Sequence, residues 1–404
     1  GGGGEIAAKR RLVVLHTPEG VGGAERVKGA GTGASGWGGR GSLELSVPRE
    51  RSCPVIVSTA PRRRRAHWLR AALATATLAT ALTGTAGAAD PGGTARTAGA
   101  ARTAAGAPPV QAAGEFWVNP DTPAARQAAT WRENGRTSDA LFVERIARRA
   151  QAEWLHKENP GDLVRARVDE AAAAGRTPVL VAYFVPHRDC GDYSAGGARD
   201  ADRYRAWIDA FATGLGTRPA YVIVEPDAVA QQIAGCQAAD ASERYGLLAH
   251  AVARLKQQPG AKVYLDAGNA SWIPDEGRLV EPLRLAGIAR ADGFALNVSN
   301  YRTTAESTEY GHRLARALGG GKHFVVDTSR NGNGAYTGGD KPWCNPPGRA
   351  LGTPPTTRTG DPAVDAYLWV KRPGESDGTC RGGPAAGTWW PEYALGLAHR
   401  ARNT

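Results

Sequence analysis

From about residue 150 onward the chain alternates between two patterns. Short apolar runs occur at Ala152–Leu155, Pro178–Val185, Ala220–Val224, Lys262–Asp266, Phe294–Val298, Phe324–Asp327 and Tyr367–Lys371. Longer amphipathic stretches such as Asp202–Leu215, Ala241–Gln257 and Glu306–Leu318 lie between them. A run that is apolar at successive positions, with no alternation, reads as a strand buried on both faces. Repeated strand–helix units predict a parallel sheet, and about seven of them predict an α/β barrel, closed or nearly so. An open doubly wound sheet fits the alternation almost as well. Polar residues follow most of the runs, however, which favours a site gathered at one end of a barrel.

The run Tyr221-Val222-Ile223-Val224-Glu225-Pro226-Asp227 carries this furthest. Pro cannot donate to a ladder, so the strand ends here and leaves Asp227 on the C-terminal rim, where barrel enzymes carry their catalytic groups. Taken alone, the acids serve equally well as caps for a helix starting at Ala228. Six other carboxylates share the position after a strand: Asp189, Glu225, Asp266, Asp327, Glu375 and Asp377. Crowded acids raise one another's pKa, which keeps one of them protonated near neutral pH and suits glycoside hydrolysis. Trp154, Trp272 and Trp343 fall at or just beyond strand ends. Indole faces there stack on sugar rings, although core packing accounts for most Trp residues. Trp207 and Trp369 read as core or wall.

Charge narrows the partners. The chain has 404 residues and a net charge of +11, but residues 1–113 hold 15 Lys and Arg against 6 Asp and Glu. The remaining 35 basic and 33 acidic residues nearly balance, and no basic stripe interleaved with aromatics is present, which argues against nucleic acid. Within 57–88, Arg62-Arg63-Arg64-Arg65, the apolar stretch Ala71–Leu82 and Ala86-Gly87-Ala88 have the order of an export signal. The stretch is too short and Thr-rich for a stable membrane span. Export to the extracellular space is therefore expected. Residues 1–56 precede this signal and read as an upstream extension of the reading frame, with the true start near Val55 or Val57. Residues 89–113, rich in Ala, Gly, Thr and Pro, read as a linker, and 114–404 as one catalytic domain.

Cys190, Cys236, Cys344 and Cys380 lie in the exported part and Cys53 before the signal. An even count outside the cell predicts two disulfides in one of three pairings. The spacings do not suit zinc and no His cluster accompanies them, so no metal is expected. Gly319-Gly320-Gly321-Lys322 lacks the spacing of a phosphate loop and reads as a helix stop. No nucleophile elbow is present and no cofactor is called for.

Two segments, Tyr183-Phe184-Val185-Pro186-His187-Arg188-Asp189-Cys190-Gly191 and Val224-Glu225-Pro226-Asp227, resemble the signatures of glycoside hydrolase family 6. So do Tyr264-Leu265-Asp266-Ala267-Gly268, Asn297-Val298-Ser299-Asn300-Tyr301, Asp327-Thr328-Ser329-Arg330-Asn331-Gly332 and Trp369 to Gly378, in order across about 115–404. The resemblance implies a distorted seven-stranded parallel (β/α) barrel that hydrolyses β-1,4-glucan with inversion. By motif, Asp227 resembles the general acid, Asp189 the carboxylate that tunes it and organises water, and Asp377 the proposed base. Tyr183 matches the residue beside the distorted sugar, and Lys371 and Glu375 match substrate-binding positions, as do Trp154, Trp272 and Trp343. Asn300 is carried with them. The pairing Cys190–Cys236 and Cys344–Cys380 matches the family pattern. Asn269 departs from it, standing where His is common. Only three positions separate Asp377 from Cys380, so the long insertion that roofs processive members is absent and internal cleavage is expected. An exo-acting cellobiohydrolase and a non-catalytic glucan-binding protein are the alternatives, and a monomer is expected.

Overall fold

A computed structural model describes residues 115–402. The extension, signal and linker expected at 1–56, 57–88 and 89–113, and Cys53, lie outside the described residues. Seven strands form one parallel sheet in chain order: β1 Glu153–Leu155, β2 Val179–Ala182, β3 Ala220–Val224, β4 Ala261–Asp266, β5 Gly293–Leu296, β6 His323–Asp327 and β7 Val364–Leu368. The helices are α1 Pro123–Glu133, α2 Thr137–Ala147, α3 Gly161–Ala173, α4 Ala201–Leu215, α5 Ala228–Ile233, α6 Ala241–Leu255, α7 Gly277–Leu285, α8 Thr304–Ala317 and α9 Pro391–His399. Among the described residues, no helix is long and apolar enough to cross a membrane.

Period-two geometry splits each strand between two cores. Val181, Ile223, Tyr264, Ala295, Val325 and Leu368 point into the barrel and pack together. Leu180, Val222, Leu265, Phe294 and Phe324 point outward against Trp207, Leu248, Leu283 and Leu314 of the helices. Trp207 and Trp369 are both fully buried, as read from the sequence. At Gly311 of α8 a Cβ would lie 2.3 Å from the Phe324 ring, so only glycine admits this approach of helix to strand. The first and last strands close through a narrow seam. Ala152 N–H donates to Trp369 O at 2.9 Å, the Trp154 indole N–H donates to Val370 O at 2.8 Å, and Arg372 Nε donates to Ala152 O at 2.9 Å. Among the described residues no ladder joins β1 to β7, so the sheet is open along this seam.

Three strands end earlier than predicted. β5 stops at Leu296, where Asn297 takes a φ of 64° and gives its N–H to Gly268 O at 2.8 Å. β2 stops at Ala182 because Phe184 and Val185 turn their N–H groups to the Glu225 carboxylate, leaving no ladder to extend. β7 lies three residues earlier than its apolar run, since Val370 and Lys371 give their N–H groups to Asp327. Asp365, which hid the strand in the hydropathy pattern, accepts from Tyr264 Oη at 2.6 Å and lies 2.7 Å from the His323 ring. The triple glycine after α8 has φ of 104°, 79° and 72°, left-handed values that stop the helix.

Candidate active site

The C-terminal ends of the strands open into a cleft of about 1110 Å³, and every residue singled out above as catalytic or substrate-binding lines it. β3 ends at Val224, and the chain then passes through Glu225 (φ 48°) and Asp227 (φ 73°). Positive φ is costly for residues with a Cβ and persists where surrounding structure imposes it. Asp227 occupies the N-cap position of α5, yet its side chain makes no capping hydrogen bond. The capping role is therefore unused and the carboxyl is left for the cleft.

Asp227 is held from behind. Its N–H donates to Asp266 Oδ2 at 2.8 Å. Burial pushes its carboxyl well above the ordinary range, with the Asp266 charge next and the Asp189 charge after it, against the pull of Lys371. Asp266 is itself pushed up to about 7 by burial, despite accepting N–H bonds from Asp227 and Gly268. The effect of Asp266 on Asp227 exceeds that of Asp189. Asp266 appeared in the sequence only as one carboxylate among seven, because backbone contact with Asp227 across two strands leaves no trace in spacing.

Asp189 follows β2 on a loop of its own. Its Oδ2 accepts from Ser194 N–H at 2.6 Å and its Oδ1 from the Gln231 amide of α5 at 2.8 Å. Burial raises its pKa while those two bonds oppose the rise. The Cys190–Cys236 disulfide ties this loop to the segment after α5. Gly197 closes the loop, since a Cβ there would lie 1.9 Å from Val185 O. The second disulfide joins Cys344 to Cys380, so both pairings expected from the resemblance are present.

Asp377 is in a different state. Arg330 Nη1 reaches its two oxygens at 2.9 and 2.8 Å. Tyr301 Oη and Asn345 N–H each donate to Oδ2 at 3.0 Å, and Lys371 Nζ lies 3.6 Å from Oδ1. Burial alone would raise its pKa, but Arg330 and then Lys371 bring it below the usual carboxylate value. The motifs that contain Arg330 and Tyr301 do not mark either one out, because a buried arginine cannot be told from a surface one by sequence. Asp327 takes the structural part instead, accepting N–H bonds from Ser299, Ser329 and Lys371 at 2.9–3.0 Å.

The aromatic residues form walls. Trp154 stands edge-on to Tyr183, ring centroids 5.0 Å apart. Asn269, the departure from the family pattern, uses its Oδ1 to accept the N–H groups of Ser271 and Trp272, fixing the turn that presents Trp272. Glu375 lies 3.2 Å from Arg372, and Asn300 accepts its neighbour's N–H at 2.8 Å. Trp343 is half-exposed and meets Tyr193 edge-on at 6.1 Å. Tyr193, from the Asp189 loop, also lies over Gly378, where a Cβ would be 2.5 Å from its ring. Tyr193 thus meets residues of two other loops that line the cleft.

A family model described as Glycosyl hydrolases family 6 matches residues 111–401. Endoglucanase A of Cellulomonas fimi is 45% identical over 291 residues, covering 71% of this chain and 61% of that protein. This chain thus spans about three-fifths of that relative's length. Endoglucanase 1 of Streptomyces halstedii is 43% identical over 312 residues, covering 73% of this chain and 94% of that protein. Among solved structures, the endoglucanase Cel6 from Mycobacterium tuberculosis, in complex with a thio-linked methyl cellobiosyl-cellobioside, is 44% identical. It superposes with a TM-score of 0.67, covering 72% of this chain and 98% of that one.

Proposed function

The chain belongs to family 6 of the glycosyl hydrolases, and from that premise we propose that it is a secreted endo-β-1,4-glucanase that hydrolyses cellulose or a related glucan with inversion. The observation that carries the reading is Asp227: an uncapped carboxyl, its pKa pushed up by burial, lining an aromatic-walled cleft. Asp227 protonates the glycosidic oxygen as the bond to the anomeric carbon breaks. Trp154, Trp272 and Trp343 stack on sugar rings, while Asn300, Lys371 and Glu375 bind hydroxyls. Tyr183, packed against Trp154, sits beside the sugar at the point of cleavage. Water attacks the opposite face of the ring and gives up a proton, so the two carboxyls that serve the reaction must stand apart. Proton transfer of this kind uses no cofactor.

By resemblance Asp377 receives that proton. Its ion pairs with Arg330 and Lys371 favour a second division of labour, because a carboxylate with a depressed pKa is a weak acceptor. Asp189, with its raised pKa, then takes the proton through water, and Asp377 supplies a fixed negative charge opposite the developing oxocarbenium ion. Internal cleavage is supported by the endoglucanase names of the relatives and by the short Asp377–Cys380 segment, which adds no roof.

Stereochemistry tests this mechanism. Proton NMR of soluble cello-oligosaccharides during the first minutes of hydrolysis should show the α-anomer in excess at the new reducing ends, decaying by mutarotation. Initial β-anomer would contradict inversion. No hydrolysis of any β-1,4-glucan would leave a glucan-binding protein.

A further inference from the structure

The segment carrying Tyr183 and Asp189 is gripped from outside the cleft by two charged side chains that do not line it. Glu225 is 1% exposed and Arg244 2%. Glu225 reaches back from the end of β3 and accepts the N–H groups of Phe184 and Val185, each at 3.0 Å. Arg244, on α6, donates through Nη2 to Pro186 O at 3.0 Å and His187 O at 2.9 Å. Four consecutive residues are thus held, two by their donors and two by their acceptors. The same pair straddles the proposed acid. Glu225 lies two positions before Asp227, and Arg244 Nη1 reaches Ala228 O, one position after it, at 3.5 Å.

Backbone strain concentrates where this grip acts. His187, Asp189, Glu225 and Asp227 all have φ between 48° and 73°. Such conformations relax unless over-determined by their surroundings. Buried charges are expensive to keep when hydrogen bonds to neutral backbone could be replaced by apolar packing. Burial pushes the Glu225 carboxyl up to about 7, yet it and Arg244 both direct their hydrogen bonds at backbone of the two loops that hold the carboxyls.

We propose that Glu225 and Arg244 are positioning residues that fix the Asp227 turn against the Tyr183–Asp189 segment, so that hydrolysis depends on them although neither touches substrate. The inference rests on the functional reading above. Misplacement of catalytic groups by about 1 Å costs on the order of 100-fold in rate.

The test uses Glu225→Gln, Arg244→Met, Arg244→Lys and the Glu225→Gln/Arg244→Met double variant of the full chain. Steady-state kinetics on cello-oligosaccharides are measured alongside thermal melting. Each of the first two variants is expected to lose about 10- to 100-fold in kcat with KM within about 3-fold. Arg244→Lys should recover part of the loss. The double variant should fall within about 3-fold of the worse single one, since both act on one segment. A kcat within about 2-fold of wild type in folded single variants, or losses that multiply in the double variant, would overturn the proposal.

Should the variants not fold, amide exchange in the wild type decides: Phe184 and Val185 should exchange as slowly as Val222 and Leu265 inside the barrel wall, and exchange at loop rates would overturn it. A wild type inactive on every β-1,4-glucan would refute the functional reading instead, and the exchange measurement would still report on the grip.

Discussion

Asp227→Asn is expected to lower kcat on β-1,4-glucans by about 10²- to 10⁴-fold while leaving oligosaccharide affinity within about 3-fold. The amide has the size of the acid it replaces and its backbone N–H still donates to Asp266, so the walls and the α5 turn stay in place. What is lost is the proton on its way to the leaving oxygen. In the wild type burial, and then the charges of Asp266 and Asp189, raise the pKa of this carboxyl, so activity is expected to extend toward neutral pH before it falls on the alkaline side. A glycoside whose leaving group is an acidic phenol needs little protonation and should lose far less than a glucan. Reducing-end assays and binding calorimetry on one preparation measure both quantities. A variant that hydrolyses glucan within about 10-fold of wild type would remove Asp227 from its role.

Arg330→Met should cost about 3–5 kcal/mol of stability near neutral pH, the range for stripping one partner from a buried ion pair. Arg330 is 0% exposed, bonds both oxygens of Asp377, donates to Ser299 O at 2.6 Å and lies over the Tyr301 ring. Its removal leaves a buried carboxylate compensated by Lys371 at 3.6 Å and by the hydrogen bonds of Tyr301 and Asn345. The pH dependence has a definite sign. In the wild type Asp377 has a depressed pKa, so its stabilisation is present above the unfolded carboxylate value and is lost as pH falls through the folded one. In the variant burial dominates and the pKa rises above the unfolded value. The penalty is then full at neutral pH and relieved as Asp377 protonates. Denaturant unfolding at neutral and acid pH should therefore show a smaller gap between the two proteins at acid pH. A gap within about 1 kcal/mol at neutral pH would mean that the pair contributes little.

The barrel was legible because burial on both faces writes itself as unbroken apolar runs, and all seven strands fall on or beside the predicted ones. Where the pattern failed, a polar residue was the cause. Asp365 concealed β7, and the Glu225 carboxylate shortened β2 by capturing two N–H groups that the apolar run assigns to a ladder. The proposed catalytic residues Asp189, Asp227 and Asp377 were visible as acids after strands and line one cleft. Their states were not visible. The rise at Asp227 comes from burial and then from Asp266 behind it, and the fall at Asp377 from Arg330 beside it, contacts between residues 39 and 47 positions apart. Nor does the sequence distinguish Asp327, which ties loops together, from the carboxylates that face the cleft.

Internal cleavage of a β-1,4-glucan is tested most directly by viscosity measured against reducing ends released from soluble carboxymethyl cellulose. A steep fall in viscosity for few bonds broken is the result expected of a cleft without a long roofing insertion. A slow fall accompanied by accumulating cellobiose would contradict it and make the enzyme exo-acting.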